Sequence, residues 1–107
     1  MTTWLISRHP GAIEWVKRNH IAFDRHLPHL DDPSHIQPGD TVMGSLPVHL
    51  AARVCARGAS YWNLSLRLPE HARGRELSAD ELIRFEASLE PFDIRKLATP
   101  AGEVSSP

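Results

Sequence analysis

The chain has 107 residues, of which 41% are hydrophobic and 23% are charged. This composition excludes a disordered protein and leaves room for one hydrophobic core. The formal net charge of −1 excludes a global attraction to nucleic acid, so a polyanion must be bound by a local positive cluster. The single cysteine, Cys55, excludes an intrachain disulfide. Together with the lack of a signal-peptide pattern or a membrane-spanning apolar run, it predicts a cytoplasmic protein.

Apolar strands alternate with short helices along the chain. The predicted elements, in order, are strand 3–6, helix 10–19, strand 22–27, strand 40–43, helix 47–57, strand 60–68, a helix that begins after Ser78 and stops before Pro91, and strand 92–97. The order β-α-β-β-α-β-α-β predicts a three-layer α/β domain with a largely parallel sheet. We expect one domain over residues 1–98 and a disordered tail over 99–107.

The segment after the first strand carries the strongest functional signal. Ser7, Arg8 and His9 supply a hydroxyl, a guanidinium and an imidazole, and Pro10-Gly11 then leads into a helix. Ligands of open α/β sheets bind at the carboxyl ends of strands, and helix N-termini favour anions. The segment therefore predicts a site for a phosphate-bearing ligand, with Arg8 stabilising charge and His9 acting as an acid or base.

A second loop repeats this design after the third strand. Gly44 would let the backbone approach a ligand, and Ser45 could donate to a phosphate oxygen while capping the helix that Pro47 opens. A turn glycine and a simple helix cap remain an equal alternative for this loop alone. Because both loops belong to the same predicted sheet edge, together they favour a binding site.

Two further groups of polar residues have competing interpretations. Arg73 and Arg75 could clamp an anion or form a solvated charge cluster, and Glu76 could pair with either of them. A metal site is conceivable for the polar residues around the proline-rich loop, which are His26, His29, Asp31, Asp32 and His35. No rigid element presents these residues, so we predict that they hold no metal.

Four segments of the chain resemble a known family. They are residues 3–15, 38–52, 64–69 and 73–78. The chain resembles the small stand-alone CRISPR-associated proteins of type III systems, which are compact relatives of the Rossmann-like CARF sensor domains and are regarded as ring nucleases. The resemblance extends to about Leu97 and implies a Rossmann-like, CARF-like fold.

The resemblance also implies a reaction. Ring nucleases linearise the cyclic oligoadenylates that type III complexes make as alarm signals, and cyclic tetra-adenylate is the implied substrate. Its two-fold symmetry implies a homodimer. The implied chemistry needs no metal or other cofactor, because a ribose 2′-hydroxyl attacks its own 3′-phosphate in line and leaves a 2′,3′-cyclic phosphate.

Residue roles follow from the same resemblance. Arg8 and His9 would act on the reacting phosphate, and Arg73 with Arg75 would close over the ligand. Neighbouring phosphates or riboses would be held by Ser7, Gly44, Ser45 and Leu46. Two alternatives stay open: a sensor or sponge that binds a cyclic nucleotide without cutting it, and an adaptor that docks on a protein through its apolar second helix.

Overall fold

The computed structural model describes residues 1–98, and the predicted tail over 99–107 lies outside the described residues. The strands are β1 (Thr3–Ile6), β2 (Arg25–Leu27), β3 (Thr41–Gly44), β4 (Ser60–Ser65) and β5 (Ser88–Phe92). The helices are α1 (Pro10–Arg18), α2 (Val48–Ala56) and α3 (Ala79–Arg84), with 3-10 turns at Pro33–His35 and Glu70–Ala72. Their order along the chain confirms the predicted β-α-β-β-α-β-α-β pattern.

The five strands form one sheet in the order β2-β1-β3-β4-β5. β1 pairs in parallel with both β2 and β3, and β3 pairs in parallel with β4. Only the edge strand β5 is antiparallel among the described strands. The prediction of a largely parallel, Rossmann-like sheet is therefore confirmed.

The side chains of the strands alternate between two hydrophobic cores. Trp4, Val42 and Tyr61 pack on one face, where α2 covers them. Leu5 and Met43 point to the other face and pack against α1 and α3. Both faces of the sheet are thus buried, which is the usual condition of a parallel sheet. The domain has three layers, as predicted.

The C-terminal third departs from the prediction. Strand 92–97 was predicted, but β5 occupies Ser88–Phe92, and α3 ends at Arg84. The chain turns at Glu86, whose φ is +58°, so Leu89 lies opposite Leu64 in the sheet rather than on a helix. Pro91 does not end a helix. It lies in an edge strand, where the N–H that proline lacks is not needed for the ladder.

Two other strands are shorter than predicted. β4 ends at Ser65 instead of residue 68 because its partner β5 begins at Ser88, the residue opposite Ser65. β2 begins at Arg25 instead of residue 22, and its three residues pair with Trp4, Leu5 and Ile6 of β1.

The helices of the described part of the chain are all too short to span a bilayer.

Candidate functional site

The strand order contains a topological switch point between β1 and β3. The chain leaves β1 toward β2 on one side and later returns to β3 on the other, so the loops at their carboxyl ends diverge and leave a crevice. A cavity of about 450 Å³ opens there. Its lining includes the six residues of the two predicted loops, Ser7, Arg8, His9, Gly44, Ser45 and Leu46. The structure therefore brings both loops to one place.

Gly44 is where the two loops meet. It lies opposite Ile6 in the ladder between β1 and β3, with φ at +150°. A Cβ atom built on Gly44 would lie 2.3 Å from the carbonyl oxygen of Ile6. Only glycine fits this approach, so Gly44 brings the second loop against the end of β1.

The hydroxyl of Tyr61 holds the second loop in place. It accepts a hydrogen bond from the backbone N–H of Leu46 at 3.0 Å and lies within hydrogen-bond distance of the Gly44 carbonyl. Its nearest acceptor is Oδ1 of Asn63 at 2.6 Å. Burial raises the pKa of Tyr61, so the hydroxyl keeps its proton. Sequence reasoning missed this role, although a tyrosine inside an apolar strand signals a buried polar contact.

The first loop is held through Ser7. Its backbone N–H donates to the carbonyl of Leu27 at 3.0 Å, and its side-chain oxygen accepts from the N–H of His9 at 3.2 Å. Nε2 of His26, on the neighbouring strand, lies 2.6 Å from the Ser7 carbonyl. His26 thus contacts the backbone of the site, a role that the sequence did not indicate.

Arg8 and His9 are exposed at the rim of the cavity. Nδ1 of His9 lies 3.6 Å from Oε1 of Glu76, with 47% and 71% of the two side chains exposed. Among the described residues, Arg8 makes no salt bridge or side-chain hydrogen bond. Pairing of Glu76 with Arg73 or Arg75 was one alternative from the sequence, and in the structure Glu76 faces the imidazole of His9. The guanidinium of Arg8 is left available for an anion.

Arg73 and Arg75 lie elsewhere. Neither lines the cavity, and Nη2 of Arg75 contacts Oε2 of Glu81 at 2.5 Å. This contact and the N–H of Ser78 lower the pKa of Glu81 to about 2. In this structure Arg75 therefore stabilises the start of α3, and a role of Arg73 and Arg75 in closing over a ligand stays a prediction.

The helices next to the cavity differ from α3 in their first turns. α3 begins with the predicted capping box, in which Ser78 and Glu81 exchange hydrogen bonds. No side chain caps α1 or α2. Ser45 does not cap α2, because the helix begins only at Val48 and Oγ of Ser45 lies 3.4 Å from the Leu64 carbonyl. The first turns of α1 and α2 therefore keep the positive potential that favours anions.

A third segment, between β2 and β3, forms another wall of the cavity. His29 and Asp31 line it, and Leu30 between them is buried in the core under α2. From the sequence, both polar residues are candidates only for metal ligands. Residues 1–98 contain no group of three or more His, Cys, Asp or Glu side chains positioned to hold a metal ion.

Comparison with known families gives one match. A family model described as "Putative CRISPR-associated protein (Cas_VVA1548)" matches residues 4–95, which is most of the chain and includes every loop of the cavity. Searches of curated proteins and of solved structures gave no significant match.

Proposed function

The chain belongs to the Cas_VVA1548 family of CRISPR-associated proteins, and we propose that it is a ring nuclease of type III CRISPR signalling. Its substrate in this proposal is a cyclic oligoadenylate, with cyclic tetra-adenylate as the preferred ring. The product is a linear oligoadenylate with a 2′,3′-cyclic phosphate end. Cleavage of the ring would end the alarm signal.

One observation carries the proposal: the two strand-end loops, 7–11 and 44–47, line a single cavity at the switch point of the sheet. This is where open α/β sheets bind nucleotides. The cavity is lined by Arg8, which has no side-chain partner among the described residues, by two imidazoles and by two serine hydroxyls, and it lies beside the starts of α1 and α2, which no side chain caps. All of these groups can bind or polarise a phosphodiester.

The chemistry assigned to the site is an in-line displacement that needs no metal. Arg8 would stabilise the charge that develops on the phosphate, and His9 would take part in proton transfer. Ser7, Ser45 and the backbone of Gly44 and Leu46 would hold the adjoining phosphates and riboses. Positioning and electrostatic stabilisation supply most of the rate in such reactions.

The size of the cavity supports a homodimer. A volume of about 450 Å³ is in the range of sites for one small ligand, and a ring of four nucleotides exceeds it. A second copy, related by a two-fold axis, would present an identical cavity to the other half of the ring. Each subunit would then grip part of the substrate.

The test is incubation of the protein with cyclic tetra-adenylate in EDTA, followed by chromatography. We expect linear products from the wild type. Arg8→Ala and His9→Ala should each slow cleavage about 10²- to 10³-fold. Arg67→Ala and His35→Ala, at exposed positions outside the cavity, are matched controls and should cleave normally. Unchanged cleavage by both cavity variants would remove the proposed site.

A sponge that binds the ring without cutting it is the second candidate. The 3.6 Å separation between His9 and Glu76 favours it, because this exceeds a hydrogen bond and leaves the imidazole loosely oriented. An intact ring after long incubation, together with tight binding, would establish the sponge.

An adaptor is the third candidate. A groove of about 890 Å³ between α2 and residues 93–96 favours it, with the exposed Val48 at one end. An adaptor predicts no nucleotide affinity, so a thermal shift with the ring separates it from the other two.

A further inference from the structure

We infer that His29 is a second catalytic residue of this site, the general acid that completes the reaction begun by His9. This inference rests on the proposed ring-nuclease function. Cleavage of a phosphodiester by its own 2′-hydroxyl needs two proton transfers, one from the attacking hydroxyl and one to the leaving 5′-oxygen. Among the described residues, the cavity lining offers two imidazoles, His9 and His29.

The two histidines come from different elements. His9 is the residue before α1, and His29 follows β2 by two positions. Both side chains are exposed to solvent while lining the same cavity. A substrate phosphate inside the cavity would therefore have two imidazoles available from two separate segments, and an in-line reaction uses two such groups because the attacking and leaving oxygens lie on opposite sides of phosphorus.

The segment that carries His29 is anchored. Leu30, the next residue, is 4% exposed in the core, and Pro33 is also buried. Arg57 at the end of α2 donates from Nε to the Ile36 carbonyl at 2.6 Å and from Nη2 to the Ser34 carbonyl at 3.0 Å. These contacts supply the rigidity that the sequence could not reveal, and a catalytic side chain needs such support.

The contact of His9 with Glu76 indicates which of the two histidines is the base and which is the acid. The separation of 3.6 Å between Nδ1 of His9 and Oε1 of Glu76 exceeds a hydrogen bond, but once it shortens in the complex with substrate the carboxylate favours the tautomer with its proton on Nδ1, which leaves Nε2 to accept a proton. Such contacts are often long before substrate binds. His9 is therefore the base and His29 the acid. Among the described residues, the other charged side chains that line the cavity are Arg8 from the first loop and Asp31 from the segment of His29.

The step balances without a further reactant. Nε2 of His9 takes the proton of the ribose 2′-hydroxyl while the 2′-oxygen bonds to phosphorus. The bond from phosphorus to the 5′-oxygen breaks, and that oxygen takes a proton from the imidazolium of His29. The products are a 2′,3′-cyclic phosphate and a free 5′-hydroxyl. His9 then returns its proton to solvent, and His29 regains one.

The first experiment compares His29→Gln with His35→Gln, a matched histidine of the same segment that lies outside the cavity. His29→Gln should lower kcat for cyclic tetra-adenylate about 10²-fold or more, with little change in KM. Its pH–rate profile should lose the decline on the alkaline side, because that decline reports the loss of the acid's proton. His35→Gln should behave as the wild type, and both variants should keep the wild-type melting temperature.

The second experiment identifies the acid directly. In a ring with sulfur in place of a bridging 5′-oxygen, the leaving thiolate needs no proton. This substrate should restore the rate of His29→Gln but not of His9→Gln. A wild type that leaves the ring intact would overturn the proposed function. A wild type that cleaves, with a normal rate for His29→Gln or no rescue by sulfur, would overturn the role of His29 alone.

Discussion

The two ends of β3 differ in the polar groups that surround them and in how those groups are paired. At its amino end the carboxylate of Asp40, 3% exposed, accepts hydrogen bonds from the N–H groups of Thr2 and Gln37 and from Nε1 of Trp4. At its carboxyl end Gly44 opens into the cavity. At the amino end a buried charge is surrounded by protein donors, whereas at the carboxyl end several polar groups line an open cavity.

The two ends of β3 differ in how far the protein itself satisfies their polar groups. The hydrogen bonds to Asp40 come from protein donors, and they hold the pKa of its carboxyl below the usual value. At the other end Arg8 has no side-chain partner among the described residues, and His9 has only a loose contact. Polar groups whose hydrogen bonds are satisfied stabilise a fold, whereas Arg8 and His9 stay exposed at the switch point of the sheet.

The largest effect on stability is expected from Gly44→Ala, which places a side chain where the two loops meet. The new Cβ would lie 2.3 Å from the Ile6 carbonyl at a φ of +150°, so strain and overpacking together should cost about 4 kcal/mol. Gly74→Ala is the control, because its φ of +80° is also positive but its Cβ would meet no atom within 4 Å. It should cost about 1 kcal/mol. Urea unfolding measures both, and equal costs would refute the close approach.

Asp40→Asn should have the next largest effect, about 3 kcal/mol at pH 7. An amide must turn its NH₂ group toward at least one of the donors from which the carboxylate now accepts a hydrogen bond. Asp24→Asn is the control, since Asp24 is exposed and, within the described part of the chain, its side chain accepts only from Thr3, and it should cost about 0.5 kcal/mol or less.

The Asp40→Asn variant also provides a test of how stability depends on pH. Because folding lowers the pKa of Asp40 from 3.8, its stabilisation is fully present above about pH 4 and is lost as the pH falls through the folded-state pKa. The difference between wild type and Asp40→Asn should therefore shrink on acidification from pH 5 to pH 2. A constant difference in urea unfolding would contradict the role of the charge.

Tyr61→Phe should have an intermediate effect at the open end. It leaves the N–H of Leu46 without its acceptor and should cost about 1.5 kcal/mol. Because the second loop loses its support, affinity for cyclic tetra-adenylate should also fall. Calorimetric titration measures the affinity, and Asn63→Ala, which keeps the bond to Leu46, should bind more tightly than Tyr61→Phe.

The smallest effect on stability is expected from Arg8→Ala. Its guanidinium supports no other described residue, so the free energy of unfolding should stay within about 0.5 kcal/mol of the wild type. The same variant should lose most cleavage. A large loss of stability would show that Arg8 stabilises the fold. The two ends of β3 would then no longer differ in their contribution to stability.

The sequence predicted the fold well where local patterns were strong. The apolar residues from Tyr61 to Leu64 and the capping box of Ser78 predicted β4 and the start of α3, although the alternation that continues through Leu66 and Leu68 extended the predicted strand too far. It failed at β5 because Pro91 was interpreted as a helix breaker, whereas an edge strand accepts proline. Which edge a strand occupies depends on the whole sheet, and local pattern does not contain that information.

The sequence predicted only those parts of the site that follow from the order of the strands along the chain. The two loops of Arg8 and Ser45 were expected at one edge because parallel strands place their carboxyl ends together, and the structure brings them to one cavity. Tyr61, His26 and Glu76 were missed because they reach the site from other elements. Their contacts depend on register and on loop paths that only tertiary packing determines.

Pro91 has a consequence for assembly. An exposed edge strand is a template on which a second chain can extend the sheet, and proteins must suppress this to avoid aggregation. A proline in β5 removes one donor from one margin of the sheet, and β2 is only three residues long at the other margin. Growth by strand addition is therefore disfavoured at both margins of the described sheet.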